Sequence, residues 1–416
     1  MKTYSVTFLP DEKTVQAAAG KSILEAAIVA GIPINSVCAG EGVCGKCRVL
    51  VKSGKVEAEA NGFLSRRDIQ RGMALACHTY IHGDVVVEVP LESRISGVPQ
   101  LASEDAIRFG RISERVGEGA AFAHNPLAGR EYLELPEPAL TDNIADQERI
   151  YRELSMRREI PAMQMGLAIL QKLPELLRES GWKVTALLGY RGVTTEVMEI
   201  EPGDTSAKHL GIALDVGTTT VVAHLVDLRS SETVATKAKY NSQISLGDDV
   251  ISRIMYSKTA ERLKQLRDLI VNDINDLITG LVMDAKAKFH DVAYIVCAGN
   301  TTMVHLLLGL HPANIRREPY VPCAAMPPVI RAAEIGIKIN PRGLLMVLPC
   351  VSSYVGGDVV ADVLVTGMTD SEDLSLLIDL GTNGELVIGN SDWLVCCSAS
   401  AGPSFEGGGI TCGMRA

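Results

Sequence analysis

Three thiols in one glycine-rich loop constrain this chain more than any other stretch: Cys38-Ala-Gly-Glu-Gly-Val-Cys44-Gly-Lys-Cys47, completed by Cys77 after 29 intervening residues. A C-x5-C-x2-C spacing with a distant fourth cysteine suits a 2Fe-2S cluster, whose irons are held by four thiolates. The glycines let backbone amides turn inward toward the cluster sulfurs. Cys44 and Cys47 stand within reach of one iron. Four cysteines can also form disulfides or a structural zinc site. Against zinc, three of the ligands share one tight loop, where zinc knuckles use two separated C-x2-C pairs.

At 416 residues, 47% of them apolar, the chain can bury large cores and divides into two to four domains. Its 40 basic and 50 acidic residues leave a net charge of -10, and no basic tract appears, which argues against a nucleic-acid partner. The opening MKTYSVTFLPDEK meets charges at once and is no signal peptide. No apolar run reaches the roughly 18 residues of a membrane span. The expectation is a cytoplasmic chain with reduced thiols used for metal ligation.

Residues 1–17 alternate about a Pro-Asp turn as a hairpin, and Ser22 to Ala30 reads as a Ser-capped helix ending at Gly31. After the cysteine loop come a strand, Arg48 to Lys52, and a turn at Ser53-Gly54. A short polar helix near Ser65 to Gly72, Cys77 and a last strand, Asp84 to Pro90, follow. This order resembles a plant-type ferredoxin of β-grasp fold over residues 1–94, although the loop has one residue more between its first two ligands than the usual C-x4-C-x2-C.

Residues 95–130 scatter Gly and Pro among charges and read as a linker. Residues 131–206 form a small α+β middle domain by pattern: a strand at Tyr132 to Leu135 and helices around Asp146 to Leu154 and Met163 to Glu179, the second broken at Pro174. Strands at Lys183 to Leu188 and Thr195 to Ile200 complete it, without a catalytic constellation.

From Leu210 the grammar changes. Asp215-Val-Gly217-Thr218-Thr219-Thr220 joins two strands by a tight polar turn, and Asp379-Leu-Gly381-Thr382-Asn383-Gly384 repeats the design. Exposed amides and hydroxyls in such turns suit the oxygens of a phosphate chain, and the aspartates suit a hydrated Mg2+. Between the copies lie an amphipathic helix (Leu263, Leu266, Ile270, Ile274, Leu277, Leu281) and a strand entering Gly299-Asn300-Thr301-Thr302 at a helix N-terminus, a further candidate nucleotide contact. Gly356-Gly357-Asp358 adds another polar turn. Asp248 and Asp249 suit a metal- or water-orienting role, or equally the capping of the helix that follows. The cysteines from Cys297 to Cys412 lack C-x2-C spacing and read as core residues, and His224 and His305 read as packing residues.

The paired hairpins resemble the ATPase fold shared by acetate and sugar kinases, Hsp70 and actin. With the ferredoxin in front, and with Asn241-Ser-Gln243, Gly247-Asp-Asp249-Val-Ile-Ser-Arg253, Ala298-Gly-Asn-Thr-Thr302 and Asp379-Leu-Gly-Thr-Asn-Gly-Glu385, the chain resembles the ATP-dependent reductive activators of corrinoid proteins. The resemblance implies an α/β and α+β chain with an actin/Hsp70-like ATPase domain over residues 207–416, truncated relative to the family at Ala416. It implies a 2Fe-2S cluster on Cys38, Cys44, Cys47 and Cys77. ATP and Mg2+ would lie on Asp215, Gly217 to Thr220, Gly299 to Thr302 and Asp379 to Gly384, with Asp215, Asp249 and Asp379 as catalytic candidates. The partners implied are a corrinoid methyl-carrier or corrinoid iron-sulfur protein, returned from Co(II) to Co(I), and a low-potential electron donor. The linker and middle domain can support a homodimer. Two other readings share these motifs: an electron carrier or activator serving another low-potential metalloenzyme, and a ferredoxin-fused small-molecule kinase.

Overall fold

The computed structural model describes residues 2–32, 34–36, 40, 42, 45–59, 61–90, 93, 124–157, 160, 162–381 and 383–400. Cys38, Cys44, Thr382, Cys412 and most of the expected linker therefore lie outside the described residues.

The N-terminal unit builds a five-stranded sheet in the order β2-β1-β5-β3-β4 from β1 (Thr3–Leu9), β2 (Lys13–Ala18), β3 (Arg48–Ala58), β4 (Met73–Leu75) and β5 (Thr79–Glu88). Helix α1 (Ile23–Val29) begins in a capping box, Ser22 Oγ accepting from Glu25 N–H and the Glu25 carboxylate from Ser22 N–H. Its apolar residues Ile23, Leu24, Ala26 and Ala27 cover Val6, Phe8, Val85 and Val87 of the sheet. The short helix α2 (Arg66–Gln70) is capped the same way by Ser65 and Asp68. The turn expected at Ser53-Gly54 is instead a pair of irregularities inside the continuous strand β3. Gly54 takes φ +111°, and a Cβ there would overlap the Asp84 carbonyl, so the glycine marks close strand approach rather than chain reversal.

The second unit pairs β6 (Ala128–Glu134), β7 (Met163–Met165), β8 (Lys183–Arg191) and β9 (Thr194–Pro202) in the order β6-β8-β9-β7. Helices α3 (Asp146–Arg157), α4 (Leu167–Leu170) and α5 (Leu173–Glu179) flank it. The helix expected from Met163 gives way to β7 and two short helices. Pro174 sits in the first turn of α5, where its missing N–H costs nothing.

The third unit is a six-stranded sheet, β12-β11-β10-β13-β15-β14, from β10 (Leu210–Val216), β11 (Thr220–Asp227), β12 (Thr233–Tyr240), β13 (Val292–Gly299), β14 (Ile330–Arg331) and β15 (Leu344–Val347). β10 to β12 run antiparallel, while β13 joins β10 and β15 in parallel. Helix α6 (Val250–Tyr256) precedes the 25-residue α7 (Ala260–Asp284), whose Leu266, Ile270, Ile274, Leu277 and Leu281 face the sheet, as their spacing predicts. Helix α8 (Thr301–Leu308) follows β13, and α9 (Gly357–Thr366) leads to a three-stranded sheet of β16 (Ser375–Leu380), β17 (Asn383–Gly389) and β18 (Leu394–Ser400). No helix among the described residues is long and apolar enough to cross a membrane.

The second and third units share a core. Ala128, Leu187 and Met198 of one pack on Ala293, Tyr294 and Leu344 of the other. At its rim the buried Glu196 carboxylate takes Arg331 at 2.6 Å and Arg342 at 2.8 Å.

Candidate functional site

Cys47 ends the cysteine loop and Cys77 sits in a single 3-10 turn, and the two Sγ atoms lie 3.2 Å apart. Ala76 N–H donates to the Cys47 carbonyl at 2.8 Å, fastening these two segments together. The thiol set beside Cys47 is thus Cys77, 30 positions on, and a pairing by sequence proximity with Cys44 falls outside the described residues. Gly40, Gly42 and Gly45 all take positive φ, and Gly40 passes so near Cys77 that a Cβ would touch its Cβ at 3.8 Å. At the loop's entrance the buried Ser36 hydroxyl and Asn35 Oδ1 have no hydrogen-bond partner among the described residues. Converging thiols, inward-turned glycines and an orphaned hydroxyl fit a 2Fe-2S cluster, whose sulfurs accept such donors. His78 turns to the Glu59 carboxylate, a partly exposed pair.

The repeated Asp-x-Gly-Thr segments are both antiparallel hairpins, β10–β11 and β16–β17, with Asp215 opposite Val222 and Asp379 opposite Glu385. In the first turn Thr218 Oγ1 accepts from Asn300 Nδ2 at 3.0 Å. Asn300 also N-caps α8 through Met303 N–H at 3.0 Å, so the β13–α8 turn is tied to the first hairpin. Gly356 packs against the backbone of Gly299 and Asn300, where any Cβ would clash, which draws α9 and its Asp358 into the same place.

Four carboxylates meet there. Burial, then the charges of Asp358, Asp362 and Asp379, push Asp215 up to about 7. Burial and the neighbouring Asp379 and Asp358 push Asp362 up to about 6. Burial raises Asp358, Asp379 and Glu385 as well. Carboxylates that raise one another's pKa between the two turns are costly alone and are eased by a divalent cation; no three of them bring oxygens within 4.8 Å of one another, so the set fits a hydrated Mg2+ rather than one ligated directly by all of them. The sequence offers Asp358 only as part of a polar turn and carries no signal for Asp362. Only the position of α9 reveals them.

Several candidates serve other ends. The Asp249 carboxylate accepts from Ser252 N–H at 2.7 Å as the cap of α6. Thr301 Oγ1 donates to the Ser352 carbonyl at 2.6 Å, and Thr302 is buried, so both side chains point into the protein. His305 accepts from Cys323 N–H at 3.0 Å and contacts the Thr301 carbonyl, and His224 pairs with Thr236, as packing residues do. Thr219, Thr220, Gly381, Asn383 and Gly384 stand at the two hairpin turns, and Thr382 lies outside the described residues. Arg253 stands in the sequence only as part of a motif, yet it is fully buried and donates to the Thr218 carbonyl at 2.6 Å.

Four family models match the chain in succession. They are a 2Fe-2S iron-sulfur cluster binding domain over residues 6–82, the RACo linker region over 117–207, the RACo middle region over 210–371 and the C-terminal ASKHA domain of RACo over 373–416. The chain is 28% identical to the corrinoid activation enzyme RamQ of Eubacterium limosum over 389 residues, 92% of this chain and 59% of that protein. It is 29% identical to the Co(II) methylated amine-specific corrinoid protein reductase of Methanosarcina barkeri, over 50% of this chain and 39% of that one. A solved structure, the reductive activator for corrinoid, iron-sulfur protein, aligns at 39% identity and TM-score 0.67, covering 99% of this chain and 65% of its own. The chain thus spans less than two thirds of the length of each of these relatives.

Proposed function

We propose that this chain, which carries in order the matched series of a 2Fe-2S domain and the RACo linker, middle and C-terminal regions, belongs to the RACo family and is an ATP-dependent reductive activase for a Co(II) corrinoid carried on a partner protein. The observation that supports this best is the carboxylate cluster enclosed by two Gly-Thr hairpins, in the same chain as the converged thiols Cys47 and Cys77. Cys38, Cys44, Cys47 and Cys77 would hold the 2Fe-2S cluster. When bound, it supplies single electrons near the roughly -400 mV of plant-type ferredoxins.

The substrate cobalt gains one electron, Co(II) to Co(I). Each further 59 mV uphill costs about tenfold in a one-electron equilibrium, so a carrier alone would stall against a lower-potential acceptor. The chain's own residues answer this by holding nucleotide. The Gly217 to Thr220 and Gly381 to Gly384 turns present amides and hydroxyls to phosphate oxygens. Asp215 and Asp379, with Asp358 and Asp362 beside them, hold the hydrated Mg2+. Closure of two lobes on nucleotide then offsets the redox deficit through differential binding of the two states. A low-potential donor restores the electron.

The test mixes the cluster-loaded chain, a strong reductant and a Co(II) corrinoid protein under anaerobic conditions, with and without Mg-ATP. Co(I) absorbance that grows only with ATP is expected. Cys44→Ser should abolish reduction and spare nucleotide binding, whereas Asp215→Ala should lose nucleotide binding and with it the ATP-dependent Co(I), while its cluster still accepts electrons from the reductant. Equal Co(I) without ATP would make the chain a plain electron carrier, and a phosphorylated small molecule in place of free phosphate would make it a kinase.

A further inference from the structure

The first hairpin turn is gripped from behind by residues that have no place in the cleft. Asn241 Nδ2 donates to the Gly217 carbonyl and Asn241 N–H to the Thr219 carbonyl, each at 2.9 Å. Arg253 Nη2 takes the carbonyl between them, Thr218. Both side chains are anchored in one short element, the 3-10 turn Ser242–Leu246. Asn241 Oδ1 caps it by accepting from Gln243 N–H at 3.0 Å, and Gln243 Oε1 accepts from Arg253 Nη1 at 3.2 Å. Three consecutive carbonyls of the phosphate turn therefore cannot shift without moving this element.

The opposite side of the same element faces the ferredoxin unit. Ile28 of α1 packs on the core of the six-stranded sheet as well as on its own. Beside it lies a cavity of about 240 Å³, walled by Ile28, Gly31 and Ile32 on one side and by Asn241, Ile244 and Leu269 on the other. The cavity is partly open to solvent, so the two walls share few packing contacts there and lack the stiffness of a filled core; they can separate or close at small cost. From Gly31 the chain runs through the buried Ile32 and Ile34 directly into the cysteine loop.

We infer that the Ser242–Leu246 turn couples the nucleotide cleft to the docking of the ferredoxin unit, so that Mg-nucleotide changes how α1 seats against Ile244 and Leu269. This rests on the reading of the hairpins as a nucleotide site and goes beyond it by giving the route along which nucleotide reaches the electron-carrying unit. Coupling of this kind is reciprocal: docking changes nucleotide affinity by the factor by which nucleotide changes docking, typically 5- to 150-fold.

The experiment needs no corrinoid. Dissociation constants of a non-hydrolysable Mg-ATP analogue, by calorimetry, are compared for the cluster-loaded full chain, Ile28→Glu, and Ser245→Arg, which enters the seam from the other side without touching the ferredoxin core. Hydrogen exchange over residues 23–32 is followed with and without the analogue. Cluster absorbance reports that the ferredoxin unit is folded. The expected result is an exchange response at 23–32 in the parent that both variants lose, with analogue affinity shifted at least 5-fold in the same direction in both. Unchanged affinity in both variants, or exchange at 23–32 indifferent to analogue, overturns the coupling. Absence of analogue binding in all three chains sinks the nucleotide reading itself, and the coupling with it.

Discussion

Among single residues, Asp215 carries the sharpest consequence. Its pKa is raised in the fold to about 7 from an ordinary 3.8, so the stability it contributes is present below about pH 4 and is lost as pH climbs through 7. The metal-free chain should therefore be less stable at pH 8 than at pH 6. Asp215→Asn should flatten that slope and raise pH 8 stability, by less than the full shift implies because the residue reaches solvent, measured by denaturant melts at both pH values. A variant whose melts track the parent at both would refute the raised Asp215 pKa. Mg2+ affinity should rise over the same interval, since its ligands must be ionised. Arg253→Met would strand the Thr218 and Gly247 carbonyls and Gln243, with an expected loss of about 3–5 kcal/mol. At this scale the sequence left Asp249 open between ligand and cap. Only the placement of Ser252 N–H decides for the cap.

Among elements, the two hairpins were legible because period-2 alternation and an Asp-x-Gly-Thr turn are local properties. Gly54 was misread because a glycine between strand residues looks the same whether it reverses the chain or admits a neighbour, and the neighbour, Asp84, lies 30 positions on. Gly54→Ala should cost the ferredoxin unit more than about 2 kcal/mol, since positive φ and overlap act together, and should hasten bleaching of cluster absorbance in urea. The β16 strand presents Leu376, Ile378 and Leu380 outward, Leu380 at 83% exposure. Such a patch attracts apolar probes. The 416-residue polypeptide should bind a hydrophobic dye, and Ile378→Lys should reduce the signal; an unchanged signal would place the dye elsewhere.

For the whole molecule, the shared core and the Glu196 ion pairs weld the middle unit to the six-stranded sheet, whereas the ferredoxin unit meets that sheet across an open seam. Glu196→Ala leaves Arg331 and Arg342 without their buried partner and should destabilise both welded units by roughly 3–5 kcal/mol while leaving cluster absorbance unchanged. The sequence by itself determined the hairpins and the order of units, because the turns and strand patterns depend on residues close along the chain. The tertiary structure alone decided that Cys77 stands beside Cys47, that Asp358 and Asp362 lie near Asp215 and Asp379, and that Asn241 and Arg253 hold the first hairpin turn beside the ferredoxin helix. Those partners lie tens to hundreds of residues apart. Packing of sheets and helices, which no local pattern encodes, selects them.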